Sequence, residues 1–283
     1  MSKETSSILR CLGGCLLVVF SMQAAPVTAN DGLKEIIDRG VLRAGVQVDK
    51  RPFGFRDPSG QIVGIDPDVL GVIAERIGVK IEFVAVIATN RMQFLQQGKI
   101  DIFSANMNDT VERRKIVGAV LPNSWPVGVG ALTRKQDGFK AWKDLRGHTG
   151  CTIEGAWYNR LLDQDYGIKT VTFKGVSEAQ TALDQGRCRA FVGNDMEIFF
   201  RLEESPGRYP DYEMVLPVVL VTPYAVAVAL DQKDKALGTL VSGIMYEGHA
   251  SGKFRLLWKK WGLPTSAWLD ETYEKLKDPL KAE

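Results

Sequence analysis

The chain has 283 residues, with 36 lysines and arginines against 34 aspartates and glutamates, for a formal charge of +2 with histidine neutral. That near balance excludes nucleic acid or an anionic membrane as the main partner, because either would call for a basic excess. Strongly hydrophobic residues make up 45% of the chain, enough to core one large or two modest domains at this length.

In chain order, Lys3 and Arg10 precede an apolar run at 11–22, and the small residues Ala24, Ala25 and Ala29 follow. Charged, apolar, then small is the order of a secretory leader. The run is shorter than the ~18 residues that span a bilayer. Val27-Thr28-Ala29 gives the best cleavage site, so residues 1–29 are read as a signal peptide, with a mature start at Asn30 and a periplasmic location. A lipoprotein reading at Cys15 is the alternative, but it leaves the apolar residues 16–20 after the cut instead of before it. Cys11 and Cys15 depart with the leader. The remaining Cys151 and Cys188 favour one disulfide in an exported chain, with two separate buried thiols as the alternative.

The first strand is expected at 41–46, followed by a helix at 66–77. Asp66 is its N-cap, Pro67 its first residue and Gly78 its stop. Val69, Leu70, Ile73 and Ile77 recur at spacings of three and four, which makes one buried face. A strand at 80–86, a helix at 91–97 and a strand at 100–104 complete a βαβαβ series, the pattern of a parallel sheet covered by helices. The polar stretch 134–143 then leads to a second series: strand 149–153, helix 156–162, strand 171–173, helix 177–185 and strand 189–192. A strand at 224–230 and helices at 233–246 and 253–261 close the chain and return to the first lobe. The expected fold class is therefore α/β and two-lobed, each lobe a mostly parallel sheet flanked by helices. Lobe 1 takes 30–133 and 226–283, and lobe 2 takes 134–225, with crossovers near 132–135 and 221–225. A ligand crevice belongs between the lobes, at the carboxyl ends of the strands.

Several motifs carry a family resemblance. They are Gly45-Val46-Gln47-Val48-Asp49-Lys50-Arg51-Pro52-Phe53, Gly64-Ile65-Asp66-Pro67-Asp68, Asn90-Arg91 and Met107-Asn108-Asp109-Thr110-Val111-Glu112-Arg113. Later come Asp144-Leu145-Arg146-Gly147, Ala182-Leu183-Asp184-Gln185-Gly186-Arg187 and Lys260-Trp261-Gly262. In joint order and spacing the chain resembles the polar amino-acid-binding proteins of bacterial ABC importers, solute-binding protein family 3, which have the type II periplasmic binding fold. The resemblance implies a monomer that captures a small amino acid and delivers it to the importer's membrane subunits. No cofactor or metal is implied.

A zwitterion leaving water needs charge-assisted partners at both ends, since an unpaired buried charge costs several kcal/mol. The helix starting near Thr110 offers peptide N–H groups and the guanidinium of Arg113 to a carboxylate. The resemblance assigns Arg113 to the α-carboxylate, assisted by Asn106, Asn108 and Thr110. A capping box of Asp109 with Glu112, leaving Arg113 solvated, is the structural alternative. By the same resemblance Asp195 takes the ammonium, with a helix N-cap for 196–202 as the compatible structural role, and Arg91 takes a side-chain carboxylate, which points to glutamate or aspartate, with a surface arginine at a helix start as the alternative. Asn194, beside Asp195, is a further candidate for reading the side chain. Asn90 is expected to cap the helix that Arg91 opens. Asp49 in the first motif is a further ligand-binding candidate. Trp157 either stacks on the ligand or belongs to the core. Lys50 and Arg51 stand where many relatives carry an aromatic clamp, and Gly155-Ala156-Trp157 stands where a Gly-Thr-Thr opening is usual.

Two other classes compete with binding. One is an enzyme on the same fold, similar to cyclohexadienyl dehydratases; it would need a general acid in the cleft, and Glu154 is the one carboxyl placed for that, while His148 and His249 are expected to be structural or exposed. The other is the ligand-sensing module of a receptor. No catalytic triad order, zinc spacing or phosphate loop is visible.

Overall fold

A computed structural model describes residues 31–204 and 209–278; the expected leader, its cleavage site at Ala29 and the lipidation alternative at Cys15 lie outside them. Val41–Val46 forms the second strand of a five-stranded sheet ordered Lys80–Ala85, Val41–Val46, Ile102–Phe103, Ala227–Ala229, Val117–Ala119. The first three strands run parallel. Ala227–Ala229 pairs antiparallel with both Ile102–Phe103 and Val117–Ala119. Leu42, Ala44 and Val46 alternate into the core against Val69, Leu70 and Ile73 of the helix Ile65–Ile77, as the strand and helix periods require. Gly78 ends that helix in the left-handed region, with its N–H donated to the carbonyls of Ala74 and Glu75.

The start of that helix corrects the sequence expectation. Gly64 occupies the cap position, where any Cβ would meet the carbonyl oxygen of Phe53 at 2.2 Å. Asp66 is the second residue of the helix and faces the core. Its Oδ1 accepts from Ser104 Oγ at 2.8 Å and from Trp125 Nε1 at 3.3 Å. Burial pushes this carboxyl up to about 6, against the pull of those two donors.

The second sheet is ordered Lys169–Phe173, Thr149–Ile153, Ala190–Asn194, Val129–Arg134, Tyr212–Glu213, again with the first three strands parallel and the last two pairings antiparallel. Cys151 and Cys188 are bonded, with Cα atoms 5.6 Å apart, because Cys151 lies on the strand beside the one Cys188 leads into. A three-stranded sheet, Asp49–Lys50, Gly54–Arg56 and Ile62–Val63, was not anticipated from the sequence.

The chain changes sheets between Ala119 and Val129, earlier than the expected 133–134 boundary, and returns between Glu213 and Ala227. The two crossover segments run side by side. Ser124 N–H donates to the Tyr224 carbonyl, Tyr224 N–H to that of Trp125, and Thr222 N–H to that of Val127. The helices Ala236–Ala250, Lys253–Lys260 and Ala267–Leu276 then pack on the first lobe through Val241, Met245, Phe254, Trp258 and Leu269. Among the described residues, no helix is long and apolar enough to cross a membrane.

Candidate functional site

Between the sheets, beside the crossovers, lies a cavity enclosing, with its mouth, about 430 Å³. Its first-lobe wall carries three cations, Lys50, Arg91 and Arg113, with Gln47, Asn106 and Asn108; its second-lobe wall carries Ile153, Gly155, Ala156, Tyr158 and Asn194. No aspartate, glutamate or histidine lines it.

Arg91 opens the helix Arg91–Gln96 and is only 2% exposed. Its Nη1 donates to the carbonyls of Ala105 at 2.6 Å and Asn106 at 3.3 Å, while Nε has no hydrogen-bond partner. Burial and the neighbouring Arg113 depress it to about 9, opposed by Asp66 and Tyr224, so it stays charged at neutral pH. Asn90 holds the N-cap position, but its side chain makes no capping bond: its Oδ1 accepts from Ile87 N–H at 2.9 Å, closing the turn before the helix.

Arg113 is 7% exposed. Thr110 caps its short helix, Val111–Arg114, through a 3.4 Å bond from Arg113 N–H. This replaces the capping-box alternative, since Asp109 instead receives Arg114 and Asn123. The guanidinium donates to the Asn108 carbonyl at 3.1 Å and across the cleft to the Gly155 carbonyl at 3.2 Å. Burial lowers its affinity for a proton, and no carboxylate opposes that shift. Asn106 sits at φ 56, a conformation that non-glycine residues hold mostly where the surroundings impose it. Neither its amide oxygen nor its nitrogen has a hydrogen-bond partner. Gln47 Oε1 is likewise unpartnered. Buried polar atoms left open on a cavity wall are what a polar ligand would satisfy.

The expected second-lobe anion is not in the cavity. Asp195 turns away from it: its Oδ1 accepts from Gly128 N–H at 3.0 Å and from Met196 N–H at 2.9 Å. Asn194 faces the cavity instead, donating to the Tyr224 hydroxyl and accepting from Met196 N–H at 2.7 Å. Trp157 also misses the lining and packs edge-on against Tyr158 in the second-lobe core. Asp49 stands outside the lining and holds the lobes together, its Oδ2 accepting from Val176 N–H at 3.0 Å. Thr110 acts only as a cap. Asn108 lines the cavity and donates to the Thr222 carbonyl at 3.1 Å.

Sequence reasoning missed Gln47, Lys50, Tyr158 and Tyr224. Gln47 follows the strand Val41–Val46 at its carboxyl end, which the crevice rule could have flagged. Lys50 reaches across the cleft and donates to Glu197 Oε1 at 3.0 Å and Oε2 at 3.3 Å. Glu197 is only 3% exposed, and burial raises its carboxyl while Lys50 pulls it down. Glu154 and His148 are exposed. His249 is buried, with Nε2 bonded to the Asn123 carbonyl at 2.7 Å. Among the described residues no cluster of three or more histidines, cysteines, aspartates or glutamates is placed to hold a metal.

The profile of the family described as "Bacterial extracellular solute-binding proteins, family 3" matches residues 42–264. The ABC transporter glutamine-binding protein GlnH of Bacillus subtilis is 26% identical over 84% of this chain and 87% of its own length. The L-glutamate/L-aspartate-binding protein of Pseudomonas aeruginosa is 25% identical over 86% of this chain and 85% of its own. The crystal structure of a cysteine-binding protein from Campylobacter jejuni superposes with a TM-score of 0.77 at 26% identity, covering 86% of this chain and 98% of that one.

Proposed function

Because the chain belongs to the bacterial extracellular solute-binding proteins of family 3, we propose that it captures a small acidic amino acid, glutamate or aspartate, and delivers it to the membrane subunits of an ABC importer. It works as a monomer in the periplasm after cleavage at Ala29, with the Cys151–Cys188 disulfide formed on export. The observation that carries the ligand class is the pair of buried guanidinium groups, Arg91 and Arg113, on a wall with no acidic side chain. Like charges held in a closed crevice favour an anion between them.

Closure follows from the same contacts. Arg113 to Gly155, Asp49 to Val176 and Lys50 to Glu197 all join the lobes, so they form only in the closed state. A ligand touching both walls shifts the population toward that state.

The test is a calorimetric titration of the ligand-stripped protein with glutamate, aspartate, glutamine and asparagine. An amide turns an NH₂ donor toward Arg91, a mismatch of roughly 1–3 kcal/mol, so the acids should bind about tenfold to a hundredfold tighter. Arg91→Ala should erase that preference. Equal or tighter binding of the amides, or an unchanged preference in the variant, contradicts the reading.

A further inference from the structure

A zwitterion needs an anion for its ammonium, and the cavity wall provides none. Asp195 is turned onto the peptide groups of Gly128 and Met196. The open acceptors in the lining, Gln47 Oε1 and Asn106 Oδ1, are neutral. Glu197 is the second-lobe carboxylate that approaches the wall, and both of its oxygens are taken by Lys50 Nζ, at 3.0 and 3.3 Å. The Lys50 side chain is 9% exposed and that of Glu197 2%, so the pair is desolvated and little screened. An ammonium entering this space would meet Lys50, Arg91 and Arg113 with no free counter-charge.

We propose that Lys50 is a resident ammonium, holding the position on Glu197 that a ligand's amino group would otherwise take, and that the cavity therefore selects small dicarboxylic acids by their two carboxylates and not by an amine. This rests on the acidic-ligand reading above and sharpens it. Arg113 and Arg91 each take one carboxylate, and the neutral amides of Gln47 and Asn106 read whatever the intervening carbon carries. The amino group of glutamate is then a dispensable and mildly repelled substituent.

Glutamate and glutarate differ by that amino group alone, so paired calorimetric titrations of the stripped protein isolate it. Glutarate is expected to bind at least as tightly as glutamate. In Lys50→Met the Glu197 carboxylate is released toward the cavity, and the order should reverse, with glutamate favoured about tenfold. Glutamate binding tenfold or more tightly than glutarate in the unaltered protein would overturn the inference while leaving the acidic-ligand reading intact. The wild-type comparison decides this even where the variant folds poorly. An unchanged order in a folded Lys50→Met protein removes Lys50 from the explanation and overturns the proposal as stated. Binding of neither acid defeats both readings together.

Discussion

Arg113→Ala is expected to weaken glutamate binding by a few hundred-fold or more while the protein stays folded. Arg113 is 7% exposed, and its guanidinium draws on no carboxylate among the described residues, since its bonds go to the carbonyls of Asn108 and Gly155. A carboxylate brought into that space depends on it for charge. Removing one partner of a desolvated ion pair costs roughly 3–5 kcal/mol, because the other charge is left buried and unpaired. The variant also loses the contact with Gly155, so closure weakens along with the ligand contact. Core packing is untouched, because Arg113 stands on a four-residue helix at the cavity edge and not within either sheet. Calorimetry gives the affinity and a circular-dichroism melt gives the fold. A loss below about tenfold would place the carboxylate elsewhere.

The second large effect concerns stability and pH. Burial holds the Asp66 carboxyl at about 6 in the folded chain, against 3.8 for an ordinary aspartate. Between those two values the folded state keeps a proton that the unfolded state has released. Stability therefore falls as pH rises from about 3.8 toward 6, and the loss is complete above 6. The full difference is roughly 3 kcal/mol. Asp66→Asn keeps an acceptor for Ser104 and Trp125 but cannot ionise. Urea unfolding at pH 3.5 and pH 7 should show the unaltered protein losing roughly 3 kcal/mol more than the variant over that interval. Parallel pH profiles would mean that Asp66 ionises as readily in the fold as outside it.

Much of the fold was legible because its signals are local. The spacing of Val69, Leu70 and Ile73, the stop at Gly78 and the alternation in 41–46 each express one helical or strand period. The crossover was not, because its polarity is inverted. Val120, Trp125 and Val127 are buried and read as core, while the polar 134–143 reads as a linker but follows the strand Val129–Arg134. In the site, the structure brings Arg91, Arg113, Asn106, Asn108 and Asn194 together on the cavity lining. Asp195 failed by a single position. Successive side chains at a strand end point to opposite faces, so Asn194 enters the cavity and Asp195 leaves it. Of the two places open to Trp157, the structure shows the core, and the next residue, Tyr158, lines the cavity. Lys50 was visible only as a departure from the usual aromatic clamp. Its partner Glu197 lies 147 residues away, a pairing that no local pattern encodes.

The most direct measurement is to identify what the protein itself carries. Protein purified from the exported pool without refolding is unfolded mildly, and the small molecule released is identified by mass spectrometry. The account predicts a small acid with two carboxylates, at close to one molecule per chain. A cationic or large apolar amino acid recovered at that stoichiometry would contradict it.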